Sequence, residues 1–165
     1  MLYDIPGRSG IPIARETILR LAEHPNIRAI KDAKGDFSQV SSVLSATDLI
    51  YLSGDDANTL PLLSIGASGL IGVTANIAAR PYRSMIDAVN VGDLVTAAAA
   101  HRALSPLVRA VMDHIPGAVS TKYLLHKLGR ISTATVRLPH VDPESVEMAA
   151  IEADLRLARE IVDLG

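Results

Sequence analysis

The chain has no cysteine, which excludes a disulfide framework and any thiolate metal site. It also has little charge imbalance: a formal net charge of −2 offers no electrostatic case for nucleic acid or an anionic membrane. No apolar stretch reaches the roughly 18 residues that a membrane helix needs. The opening Met-Leu-Tyr-Asp-Ile-Pro lacks the basic start and long apolar run of a signal peptide, so a cytoplasmic location is the default expectation. The histidines, His24, His101, His114, His126 and His140, lie far apart and none forms an i, i+4 pair, so no metal site is expected. Gly66, Gly69 and Gly72 do not match a dinucleotide fingerprint, which needs its glycines between a strand and a helix. What remains is 165 residues, 48% hydrophobic, enough to bury a substantial core.

Hydropathy alternates in period along the first half. Met1 to Ile5 reads as a strand ended by Pro6-Gly7 and a turn through Ser9-Gly10. Ile13 to His24 reads as a helix with Ala14, Ile18, Leu21 and Ala22 on one face. Strands are expected at Ile27 to Ala33, Leu49 to Leu52 and Gly69 to Thr74, with helices at Phe37 to Ser45, at Ala57 to Ile65 and after Pro81. Gly66 reads as the stop of the helix before it, and Gly72 as a residue that keeps the fourth strand slim. Strands alternating with helices at this spacing mean right-handed βαβ units and a parallel sheet.

Beyond Val91-Gly92 only helices are expected, near Asp93 to His114, Val119 to Leu128 and Pro143 to Leu164. In the last, Asp142 suits the N-cap and Pro143 the first helical position, with a stripe at Val146, Ala149, Ala150, Ala153, Leu157 and Ile161. The expected organisation is therefore residues 1–91 as a partial (β/α) barrel and residues 92–165 as a helical domain. A closed barrel needs eight βα units; four leave open sheet edges at Met1–Ile5 and Gly69–Thr74. The expected fold class is α/β: the second half of a TIM (β/α)8 barrel, four βα units, followed by a C-terminal helical extension.

The stretch Ile27-Arg-Ala-Ile-Lys-Asp-Ala-Lys-Gly-Asp36 carries the chemistry. In a strand, Ile27, Ala29, Lys31 and Ala33 share one face, and Arg28, Ile30 and Asp32 the other. Gly35 and Asp36 then break it, and Asp36 is placed to cap the next helix. Lys31 thus stands among small and apolar residues at the carboxyl end of a parallel strand, where α/β barrels place their chemistry. A lysine so held favours its neutral amine, which attacks carbonyls to form a Schiff base. On position alone the plainer reading is a solvated lysine at a strand end.

Other candidates fall at the same rim. Tyr3 could shuttle protons to a carbinolamine or enamine, against the plainer reading of a packing tyrosine with a wet hydroxyl. Arg8, after the Pro6-Gly7 turn, could grip a carboxylate with two hydrogen bonds; alone it is a surface arginine. Gly54-Asp55-Asp56 reads either as a turn and helix cap or as backbone bared to a ligand with Asp55 at its edge. Their order along the chain changes the weighing.

Tyr3-Asp-Ile-Pro-Gly-Arg8-Ser-Gly10, Ile30-Lys31-Asp-Ala-Lys-Gly35, Ser53-Gly-Asp-Asp56 and Gly69-Leu-Ile-Gly-Val-Thr-Ala-Asn76 together resemble the second half of the dihydrodipicolinate synthase family. That family sits within the pyruvate-dependent Schiff-base lyases and aldolases. The resemblance extends through Thr121-Lys122 and Leu128-Gly129. It implies that Lys31 forms a covalent imine with pyruvate, with no cofactor, and that Tyr3 relays protons. It implies that Arg8 holds the carboxylate of aspartate semialdehyde, and that Gly54 and the backbone of Ile71 border the lysine pocket. The implied reaction belongs to lysine and diaminopimelate biosynthesis. The family's first four βα units, with their Gly-Thr-Thr-Gly-Glu-type stretch, have no counterpart here. The implied partners are therefore a homo-oligomer or a complementing N-terminal half. The alternatives are another pyruvate-type aldolase, such as a ketodeoxysugar aldolase or a lyase similar to N-acetylneuraminate lyase, and a non-catalytic half-barrel assembly module.

Overall fold

A computed structural model describes residues 1–161. It divides into two compact units, Met1–Gly72 and Val73–Gly165.

The first unit holds strand β1 (Leu2–Asp4), helices α1 (Pro6–Ser9) and α2 (Arg15–Ala22), strand β2 (Ala29–Asp32), helix α3 (Phe37–Leu44), strand β3 (Ile50–Ser53), helix α4 (Thr59–Ser64) and strand β4 (Gly69–Leu70). The four strands form one parallel sheet in the order β1-β2-β3-β4. One register row runs Tyr3, Lys31, Leu52, Gly69 and the next Asp4, Asp32, Ser53, Leu70. Because side chains alternate along a strand, one face turns Ile30 and Tyr51 into a core with Ile18 of α2, Val40 and Val43 of α3 and Leu62 of α4. The other face keeps Tyr3, Ile50 and Ile71 exposed. This is a half-barrel sheet whose helix side is closed.

Local signals place the helices. Asp36 caps α3, its side chain accepting from the Gln39 N–H at 3.0 Å, as the sequence predicts. Gly66 follows α4 with φ +110°, a backbone that glycine adopts without strain. Two readings change. The expected turn at residues 6–9 is a one-turn helix opened by Pro6 and ended by Gly10 at φ 85°. The fourth strand stops at Leu70, and Gly72 serves a different purpose: a Cβ there would lie 2.2 Å from Asp56 Oδ1. Gly72 makes room for a buried carboxylate beyond the strand.

The second unit packs α5 (Ala75–Asn90), α6 (Leu94–Met112), α7 (Gly117–Lys127) and α8 (Ser145–Ile161). This compact unit begins at Val73, and within it α5 packs with α6 and α7. That helix is two segments joined at Ala78, whose φ/ψ of −125°/46° is non-helical. Pro81 consequently sits in the first turn of the second segment, where its missing N–H costs nothing.

Helix α8 differs from its expectation in two ways. Its N-cap is Glu144, whose own N–H donates to Glu147 Oε2 at 2.7 Å while Met148 N donates to its carbonyl at 2.9 Å; Asp142 and Pro143 lie ahead of it. The buried stripe is Ile151, Leu155 and Ala158, and the expected stripe faces outward, with Val146 70% exposed. Bulky Ile151 and Leu155, at i and i+4, outweigh a face made half of alanine. The expected extension to Leu164 runs past the described residues. No described helix is long and apolar enough to cross a membrane.

Candidate active site

Strands β1 and β2 bring Tyr3 and Lys31 together. They are register partners, and the Lys31 Nζ lies 4.1 Å from the centre of the Tyr3 ring, within range for attraction between an ammonium and an aromatic face. Tyr3 is 43% exposed, so its hydroxyl stands on the open side of the sheet. Lys31 is half-buried.

Gly54 makes the lysine's position possible. Its N–H donates to Asp32 O at 2.6 Å, continuing the β2–β3 ladder one residue past the strands. A Cβ at this residue would lie 2.8 Å from Lys31 Cε and 3.0 Å from Asp32 O. The requirement is steric, since the lysine stem lies directly against the Gly54 backbone. Ile71 extends the ladder on the other side, its N–H donating to Ser53 O at 2.8 Å, with its side chain exposed on the same open face.

Arg8 occupies the last turn of α1 and is exposed. Its guanidinium makes no ion pair with any described residue, which leaves its donors available. Asp55 is differently placed. One carboxylate oxygen accepts from Ala57 N at 2.8 Å and the other from Asn58 Nδ2 at 3.0 Å, so it closes the turn after β3. Of the candidates, Tyr3, Lys31 and Gly54 are brought into contact; Arg8 stands on the one-turn α1 and Ile71 just past β4; the Asp55 carboxylate serves the loop.

This arrangement places an amine, a phenol and a bared backbone at the carboxyl ends of adjacent parallel strands. The model of the dihydrodipicolinate synthetase family matches residues 1–158. The chain belongs to that family. A 4-hydroxy-tetrahydrodipicolinate synthase of Kineococcus radiotolerans is 52% identical over 158 residues, 96% of this chain and 51% of that protein. One from Acidothermus cellulolyticus is 46% identical over the same length. Among solved structures, the 4-hydroxy-tetrahydrodipicolinate synthase of Methylacidiphilum fumariolicum superposes with a TM-score of 0.91 at 34% identity, covering 97% of this chain and 54% of that one. The dihydrodipicolinate synthase of Aquifex aeolicus gives 0.90 at 27% identity. The chain thus spans about half the length of the dihydrodipicolinate synthases it matches.

Sequence reasoning passed over the residues immediately behind the site. Asp4 and Asp32, each one step past Tyr3 and Lys31, are both 1% exposed on the helix-packed face, where Tyr51 is fully buried. The available signal was an acidic residue at the inward phase of two neighbouring strands, which the alternation reserves for apolar side chains.

Proposed function

We propose that this chain carries the imine-forming half of a dihydrodipicolinate synthase, with pyruvate as first substrate and aspartate semialdehyde as second. Lys31, as a neutral amine, attacks the keto carbon of pyruvate to give a carbinolamine. The Tyr3 phenol passes a proton to the departing hydroxyl, water leaves, and the imine forms. Tyr3 then relays the proton lost from the methyl carbon. The protonated imine itself withdraws the electrons, so no separate cofactor is invoked. The resulting enamine attacks the aldehyde of aspartate semialdehyde, whose carboxylate Arg8 holds through its free donors. Gly54 keeps the lysine path open, and the Ile71 loop borders it.

The observation that carries this reading is the Tyr3–Lys31 pair, 4.1 Å apart on adjacent strands with Gly54 clearing the stem. The name shared by the relatives supports the synthase over a sugar-acid aldolase. The remaining βα units of the barrel come, on this reading, from a complementing N-terminal half, within a homo-oligomeric cytoplasmic enzyme.

The test is trapping. The chain is incubated with pyruvate, alone and with the first half of a relative, then reduced with borohydride and mapped by mass spectrometry. A pyruvyl adduct on Lys31, abolished in Lys31→Ala, supports the assignment. An adduct on another lysine, or none in either condition from folded protein, overturns it.

A further inference from the structure

On the helix-packed face of the sheet, directly behind Tyr3 and Lys31, two carboxyl groups are buried, and neither forms an ion pair with a described residue. Asp4 and Asp32 are register partners, so they point the same way from strands about 4.8 Å apart. Each is anchored through one oxygen. Asp4 Oδ1 accepts from Ile13 N at 3.0 Å, and Asp32 Oδ1 from Lys34 N at 3.0 Å and Gly35 N at 3.2 Å. The other oxygen of each, Asp4 Oδ2 and Asp32 Oδ2, is buried and finds no donor among the described residues, and the buried Tyr51 hydroxyl is likewise unpartnered. The same face of the sheet carries the apolar core with Ile18, Val40 and Val43 of α2 and α3.

Two ionised carboxylates cannot share so dry a space: like charges in register repel, and the shared site retains one proton. We infer that Asp32 is a neutral carboxylic acid that turns its proton toward Asp4, and that this acid pair is the positioning element which ties the ends of β1 and β2 together behind Tyr3 and Lys31. The nearby charges agree. Burial, and after it the charge of Asp4, raise Asp32 above its ordinary range, against the hydrogen bonds from Gly35 and Lys34 and the Lys34 charge. The Lys34 ammonium is itself engaged, donating to Gln39 Oε1 at 2.7 Å and lying 3.6 Å from Asp36. The Tyr51 phenol keeps its proton chiefly through burial, with the charges of Asp4 and Asp36 acting in the same direction. The pairing of the two acids rests on the strand geometry, the place of the proton on Asp32 follows from burial there, and only the consequence for Lys31 rests on the Schiff-base reading.

Infrared spectroscopy of the 165-residue chain at neutral pH decides it. The expected result is a carboxylic-acid carbonyl band in the unmodified chain that disappears in Asp32→Asn and persists, shifted, in Asp4→Asn. Absence of the band means both groups are ionised and overturns the inference, as does a band that survives Asp32→Asn. If Asp32→Asn does not fold, the Asp4→Asn spectrum still decides, because an unshifted band removes the pairing. The positioning role is read from the pH profile of trapped pyruvate adduct. The yield falls as Asp32 ionises, and Asp32→Asn abolishes that fall; an unchanged profile overturns the role. No adduct at any pH counts against the Schiff-base reading and leaves the infrared result standing.

Discussion

The two units partner their acids in opposite ways. In the helical unit, Asp154 is held by Arg109 at 2.7 Å and His114 at 2.9 Å, and Glu152 takes hydrogen bonds from Tyr123 and Lys127. Both of these charges have a positive partner near the surface. In the sheet unit, Asp4 and Asp32 have backbone N–H donors and each other. Surface ion pairs of the first kind contribute little to stability, whereas a buried polar cluster is costly to leave half satisfied. The difference teaches where precision is needed. The helical unit is held by apolar packing with ion pairs as trim. The sheet unit commits its least replaceable polar contacts to the strands that carry Tyr3 and Lys31.

The contrast can be broken by truncation. Asp32→Ala strands the N–H groups of Lys34 and Gly35 and leaves Asp4 alone, which should cost about 2–4 kcal/mol in urea unfolding. Asp154→Ala removes an edge ion pair and should cost about 1 kcal/mol or less. Equal losses would refute the distinction. Gly54→Ala probes the open side of the same strands. Its Cβ meets a flexible stem at Lys31 Cε but rigid backbone at Asp32 O, so it should cost about 1–3 kcal/mol. Displacing the lysine should also cut the trapped adduct roughly tenfold or more. A stable variant with full adduct yield would mean that the Lys31 stem need not lie against residue 54.

Much of the sheet unit is legible in the residues, and the reasons are local. Alternation around Lys31 assigns β2 and its two faces, and Asp36 announces α3. The parts that were not legible depend on what lies across a gap. The one-turn α1 looks like any turn containing Pro and Gly. The need for glycine at residue 72 comes from Asp56, sixteen residues away in sequence, whose carboxylate leaves no room there for a Cβ. In α8 two apolar stripes have equal helical spacing, and only the packing of α8 against α6 shows that Ile151 and Leu155 are the inward pair. The acid pair is the sharpest instance. Asp32 alone reads as one residue of the strand's second face; the register that makes it a neighbour of Asp4 belongs to the folded sheet.

The pH dependence of stability separates the two kinds of acid most finely. Burial pushes Asp154 up, but the hydrogen bonds from His114 and Arg109 outweigh it, and the folded value lies below 3.8. A folded value below the unfolded one gives stability that is present above about pH 4 and lost as pH falls through the folded value. Asp32 has the opposite sign. Its folded value lies above 3.8, so the folded state binds its proton more tightly. The corresponding stability is present at low pH and lost as pH rises from about 4 through the folded value. Asp154→Asn should therefore flatten the acid limb of the urea midpoint against pH, by about 1 kcal/mol. Asp32→Asn should leave that limb alone and remove a decline on its neutral side. If both substitutions changed the acid limb in the same direction, Asp32 would be an ordinary paired carboxylate, and the sheet unit would differ from the helical one only in depth of burial.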